Sequence, residues 1–163
     1  MAVKNLNDLF LETLKDVYYV EKKLTKALPK LMKKATEPEL KQGLQDHLAE
    51  TEEHVSRVEE IFTLINKPAR AKRCEAIDGI TSEADETLEE IEEDDTIDAG
   101  IISCAQAAEH YEIARYGTLA AWAKQLGLND AAKILEQTLG EEKAADKKLS
   151  QLALSSANQQ AAA

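Results

Sequence analysis

One spacing constrains the first thirty residues. Phe10, Leu14, Val17, Leu24, Leu28 and Leu31 fall alternately four and three apart once position 21 is counted among them. That is the repeat of a helix burying one face. Position 21 is a glutamate. A strand would turn alternate members of such a stripe to solvent, so the chain is driven towards helix packed on helix. The same stripe puts a carboxylate in the core, where an ionised group is costly unless something compensates it.

The remaining chain repeats the pattern. Nothing alternates with period two over a useful length, and six Gly and three Pro in 163 residues leave a composition suited to helices. Asn5 or Asn7 caps a first helix that runs to about Lys34, with a kink expected at Pro29. Thr36-Glu37-Pro38-Glu39 reads as a capping box with Thr36 as the cap, opening a second helix that Asn66-Lys67-Pro68 ends. Residues 67–76 form a basic connector. The acids from Glu83 to Asp95 are dense enough for disorder, yet Ile77, Ile80, Ala84, Leu88 and Ile91 keep a helical period. A short helix over about 76–93 with a solvated acidic face is therefore expected. A fourth helix spans about Thr96 to Gln125, LGLND at 126–130 supplies a glycine stop and an Asn cap, and a fifth runs from about Asn129 to Ser155. Residues 156–163 read as a frayed tail. The expected architecture is all-α, with one domain over 1–155. It is a ferritin-like four-helix bundle of two antiparallel hairpins, joined by a long crossover that carries its own short helix.

Several function classes are disfavoured. A formal net charge of −11 repels phosphate backbones, so nucleic acid is not an expected partner, and the same acidity concentrates cations. No run of 18 apolar residues exists, so no membrane span is expected. MAVKNLNDLF has neither a basic nor an apolar leader region, which makes the cytoplasm the expected compartment. Cys74 and Cys104 lie far apart without a CxxC, which argues against a disulfide framework or a zinc ribbon.

Each long helix carries an acid near the middle of its apolar stripe: Glu21, Glu50, Glu109 and Glu142. Glu21 and Glu50 straddle the turn near 35–37 almost symmetrically, and Glu109 and Glu142 straddle the turn near 126–128. Four carboxylates are thus expected to meet at one level. Like charges packed together raise each other's pKa values, and two divalent cations remove that penalty. Glu112 lies one turn from Glu109 and is read as a fifth ligand. Glu53, His47 and His54 are alternatives for completing a side, and Asp146 follows Glu142 by four. Imidazole with carboxylate suits iron first and manganese second.

The segments DLFLETLKDVYYVEKKLTKALPKL, HLAETEEHV, AAEHYEIARYGTLAAWAKQLG and LEQTLGEEKAADKKL resemble the YciE/YciF-like family of bacterial stress proteins, over roughly residues 4–154. The resemblance implies a ferritin-like, rubrerythrin-related fold, a homodimer and a stress role. Two departures stand out: helix two offers Glu50-x-x-Glu53 where the wider fold class has Glu-x-x-His, and helix five carries no histidine. The sequence leaves two main readings. One is a di-metal protein acting on peroxide or oxygen, and the other is a non-catalytic helical stress protein that binds protein partners. An iron store, which needs a closed shell of subunits, is a third.

Overall fold

The computed structural model describes residues 3–163. Five long helices follow one another: α1 (Leu6–Lys34), α2 (Pro38–Leu64), α3 (Glu75–Glu90), α4 (Asp94–Gln125) and α5 (Asn129–Leu152). No strand occurs among the described residues. α1 pairs with α2 and α4 with α5, and α1–α4 and α2–α5 contacts close the ferritin-like bundle. α3 lies in the crossover and packs chiefly on α4.

The ends of the elements follow local chemistry. Asn5 caps α1 by accepting from the Asp8 N–H at 2.9 Å. The helix runs through Pro29, which sits on its exposed face, where the hydrogen bond it cannot donate is least costly. Gly127, at φ +73°, stops α4, and the Leu128 N–H reaches back to the Ala123 carbonyl. Asn66, at φ 54°, ends α2 in the same way, with the Lys67 N–H on the Phe62 carbonyl.

Three local expectations need correction. The cap of α2 is Glu37, whose side chain accepts from the Leu40 N–H at 3.0 Å. Thr36 is instead drawn across to α4. Its N–H and hydroxyl, together with the Glu37 N–H, bind the buried Asp98 carboxylate at 2.8, 2.5 and 3.0 Å. A buried carboxylate with three donors outcompetes a solvent-facing cap. Asn129 makes no cap bond; α5 begins on it, with Leu128 at the cap position. The segment from 156 does not fray: a π-helical turn (Ala153–Ala157) and a short helix α6 (Asn158–Ala161) continue α5, because Ala157 is buried against α4.

The basic connector is held by acids on α1: Lys72 Nζ lies 3.5 Å from Glu12 and 3.6 Å from Asp16. α3 turns Ile77 and Leu88 inward and its acids outward except Asp78, which faces Tyr19 and Lys23 of α1. The bundle core forms two apolar layers. One holds Phe10, Leu14, Val58, Phe62, Leu119 and Leu135. The other holds Leu40, Leu44, Ile101, Ile102, Leu149 and Leu152. Each such side chain contributes about 1.5–3 kcal/mol by leaving water. Along α1, α2, α4 and α5 the polar residues described next fall between the two layers.

Candidate metal centre

The waist of the bundle buries Glu21 on α1, His47 and His54 on α2, Glu109 and Glu112 on α4, and Glu142 on α5. They form two groups. His47, Glu109, Glu112 and Glu142 offer one ligand atom each within 4.8 Å of one another, and so do Glu21, His54 and Glu142. Glu142 belongs to both groups and is fully buried. His47 and His54 are two helical turns apart, roughly 10 Å along the axis. Each therefore serves its own group while Glu142 lies between them.

The helix repeat explains which residues arrive. On α2 the buried positions are His47, Thr51, His54 and Val58, in steps of four, three and four. Thr51 takes the place that Glu50 was expected to occupy. Its hydroxyl is satisfied by the His47 carbonyl at 2.8 Å, so it can be buried at low cost where a carboxylate cannot. Glu50 lies outside, 47% exposed, with its carboxylate 3.5 Å from His47 Nδ1. Glu53 is exposed and faces Arg57 at 3.7 Å. Asp146 is turned to the outer α4–α5 seam, where it binds Gln106 at 2.9 Å and His110 at 3.1 Å. Four carboxylates do meet, with Glu112 in place of Glu50.

Neighbouring groups fix the orientations of these side chains. His54 Nε2 lies 2.8 Å from Glu141, which also takes Arg57 Nη1 at 2.6 Å. That leaves His54 Nδ1 facing Glu142 at 3.0 Å and Glu21 at 3.7 Å. His47 Nε2 lies 2.9 Å from Glu109 and 3.9 Å from Glu142. The buried Tyr116 hydroxyl donates to Glu21 Oε1. The sequence offered no local signal for the Glu141–Arg57 pair, because Glu141 lies off the apolar stripe.

Electrostatics at the waist are strained. Burial, followed by the charges of Glu142, Glu21 and Glu109, pushes Glu112 well above the ordinary carboxylate range. Burial also raises Glu21, and it lifts Glu142 to about 7 against the opposing pull of His54. Burial works against protonating the two histidines, yet the adjoining carboxylates outweigh it. Glu109 and Glu50 lift His47 to about 11, and Glu142 and Glu21 lift His54 to about 10.

The hydrogen-bond inventory adds a test of fit. Among the described residues, the buried side-chain atoms without a hydrogen-bond partner are Glu21 Oε2, His47 Nδ1, His54 Nδ1, Glu109 Oε2 and both oxygens of Glu112 and Glu142. All belong to these six residues. Native proteins leave few such atoms, and each one calls for a physical reason. Four carboxylates and two imidazoles match the donor set and the charge of two divalent cations.

A helical bundle with carboxylates and imidazoles converging on its waist defines a ferritin-like protein with a candidate metal centre. The chain belongs to the family described as "Domain of unknown function (DUF892)", which matches residues 5–162. It is 42% identical to Protein YciF of Escherichia coli over 162 residues, covering 99% of this chain and 98% of that protein. The crystal structure of the E. coli stress protein YciF superposes with a TM-score of 0.91 at 42% identity, covering 96% of this chain and 99% of that one. YcfI of Rhodopseudomonas palustris, described as a candidate structural protein, gives a TM-score of 0.89 at 47% identity, covering 91% and 94% of the two chains. A protein from Xanthomonas campestris pv. campestris shares the fold at a TM-score of 0.73 and 22% identity, covering 91% of each chain.

Proposed function

We propose that the chain is a stress protein whose waist binds two transition-metal ions, iron or manganese, and turns them on peroxide or dioxygen. One observation supports this above the others: the orphaned buried atoms are all of ligand type and all converge. His47, Glu109 and Glu112 would hold one ion and Glu21 and His54 the other, with Glu142 within reach of both groups. Bound ions supply redox and Lewis-acid chemistry. The chain's own residues do the rest. Glu141 and Arg57 keep His54 in the tautomer that offers Nδ1, Tyr116 leaves Glu21 Oε2 free to ligate, and the two apolar layers exclude water. The reading includes a cytoplasmic homodimer, in keeping with the family resemblance.

Anaerobic titration of the metal-free protein with Fe(II), then with Mn(II), tests the reading through metal bound per chain. About two are expected. Glu50→Ala is expected to keep that stoichiometry, since Glu50 stands outside the waist. Absence of stoichiometric metal would overturn the proposal. It would favour the second reading, a non-catalytic helical protein, which has its own support: with His47 raised to about 11 and His54 to about 10, protonated imidazoles can neutralise part of the carboxylate cluster.

Two further results follow from the geometry. Both imidazoles are protonated at neutral pH and must lose their protons to ligate. Metal binding should therefore release at least two protons, and affinity should fall on the order of a hundredfold per pH unit on acidification. Calorimetry in buffers of different ionisation heat reads this directly, and a buffer-independent enthalpy would contradict it. Tyr116→Phe removes the donor to Glu21 and is expected to weaken metal binding about tenfold while leaving the helical circular-dichroism signal intact.

A further inference from the structure

A cleft of about 900 Å³ opens between α1, α3 and α4, within the size range of small-molecule sites. Its floor is apolar, formed by Leu24, Leu28, Ala105, Ala108 and Ile80. Its rim is cationic, which is unexpected in a chain of net charge −11. Lys22, Lys26 and Lys30 follow one another at four-residue intervals along α1, and Lys23 and Arg73 complete the rim.

These cations are not equivalent. Asp78 holds Lys23 at 3.0 Å and Arg73 at 2.7 Å, and Asp85 lies 3.8 Å from Lys30. Lys22 and Lys26 form no ion pair among the described residues, and Lys22 rests over the Tyr18 ring at 5.0 Å. Both are exposed at the mouth. The inner end of the cleft is lined by His47 and Glu109 of the candidate metal centre. An apolar trough with two exposed lysines outside any ion pair on its rim complements a molecule with an apolar body and an anionic head. With Arg73 engaged by Asp78, the two lysines are the cations left to meet an anionic head.

We propose that this cleft binds a long-chain carboxylate. Its chain lies along Leu24, Leu28 and Ala108, and its head is held by Lys22 and Lys26. The site depends on the cleft alone and not on metal at the waist.

The test is fluorescence titration of the metal-free full chain with a dansyl-labelled fatty acid, followed by displacement with palmitate, hexadecylamine and hexadecanol. Saturable binding of about one probe per chain is expected, with palmitate displacing it at least about tenfold better than the amine or the alcohol. Lys22→Glu combined with Lys26→Glu should weaken binding by about tenfold or more without altering the helical signal, because both side chains are exposed. Ala108→Phe fills the floor and should block the chain. Glu142→Gln should leave probe binding unchanged, so failure of the metal reading and failure of this one are separable. Lack of saturable binding, equal displacement by the amine, or unchanged affinity in both cleft variants overturns the proposal. So does light scattering that shows a dimer which binds probe only once dissociated, since a second copy would then be the occupant.

Discussion

Replacing Glu142 by glutamine is expected to reduce metal from about two per chain to one or fewer and to weaken the remaining site at least about a hundredfold, or about 2.7 kcal/mol. The size of the effect comes from position. Glu142 is the one residue common to both ligand groups, and its two oxygens have no other hydrogen-bond partner. The same change should raise the thermal midpoint of the metal-free protein, because it removes a fully buried carboxylate from beside Glu109 and Glu112. The signs with pH follow. Burial raises Glu142 from 4.5 to about 7, so its favourable contribution is complete below 4.5 and is lost as pH rises through 7. His47 and His54 are raised too, and their contribution is complete below 6.5 and lost through about 10 to 11. The metal-free protein should therefore lose stability as pH rises from about 4.5, first through the Glu142 window up to about 7 and then through the histidine windows up to about 10 to 11, while the gap between metal-loaded and metal-free midpoints widens. Thermal melts at several pH values with and without metal measure both. A Glu142→Gln protein that still binds two ions tightly would refute the ligand assignment.

Asp98→Ala is expected to destabilise the protein by about 2 kcal/mol, lowering the melting midpoint by roughly 4 to 8 °C. Asp98 is 1% exposed and accepts from the Thr36 N–H, the Thr36 hydroxyl and the Glu37 N–H. It ties the α1–α2 turn to the start of α4, so it joins the two hairpins at one end of the bundle. Removing it leaves those donors to solvent and opens a small void. Chemical denaturation of Asp98→Ala, Thr36→Val and the double variant should show strong coupling between the two positions. A loss well under about 1 kcal/mol would mean that packing alone holds that end together.

Much of the site was legible because helices repeat so regularly. Glu21, Glu109 and Glu142 each fall in step with apolar neighbours on long helices, and a residue in step with a buried stripe is itself buried. Glu50 shows the limit of that reading. It and Thr51 are adjacent, both lie near the stripe, and the choice between them turns on about 100° of helix rotation. The structure chose Thr51 because a hydroxyl can satisfy itself on its own helix, whereas an inward acid on α2 would have met four carboxylates already in place. Asp146 failed for a related reason. Four residues overshoot one turn, and by that point the face of α5 has rotated towards Gln106 and His110.

The sequence by itself determined the all-helical class, the two hairpins, the crossover helix and the presence of buried acids. These depend on periodicity, turn residues and burial cost, all of which act within one element or across one turn. Only the tertiary structure decided that Asp98 would take Thr36 from its capping role, that Glu141 and Arg57 would orient His54, that the tail would stay helical on α4, and that a lysine-rimmed cleft would open beside α3. Each of these joins residues 61 to 87 positions apart or depends on how whole helices are set against one another. No local preference encodes a partner on another helix; it is settled when the apolar layers close and the leftover polar groups must find each other.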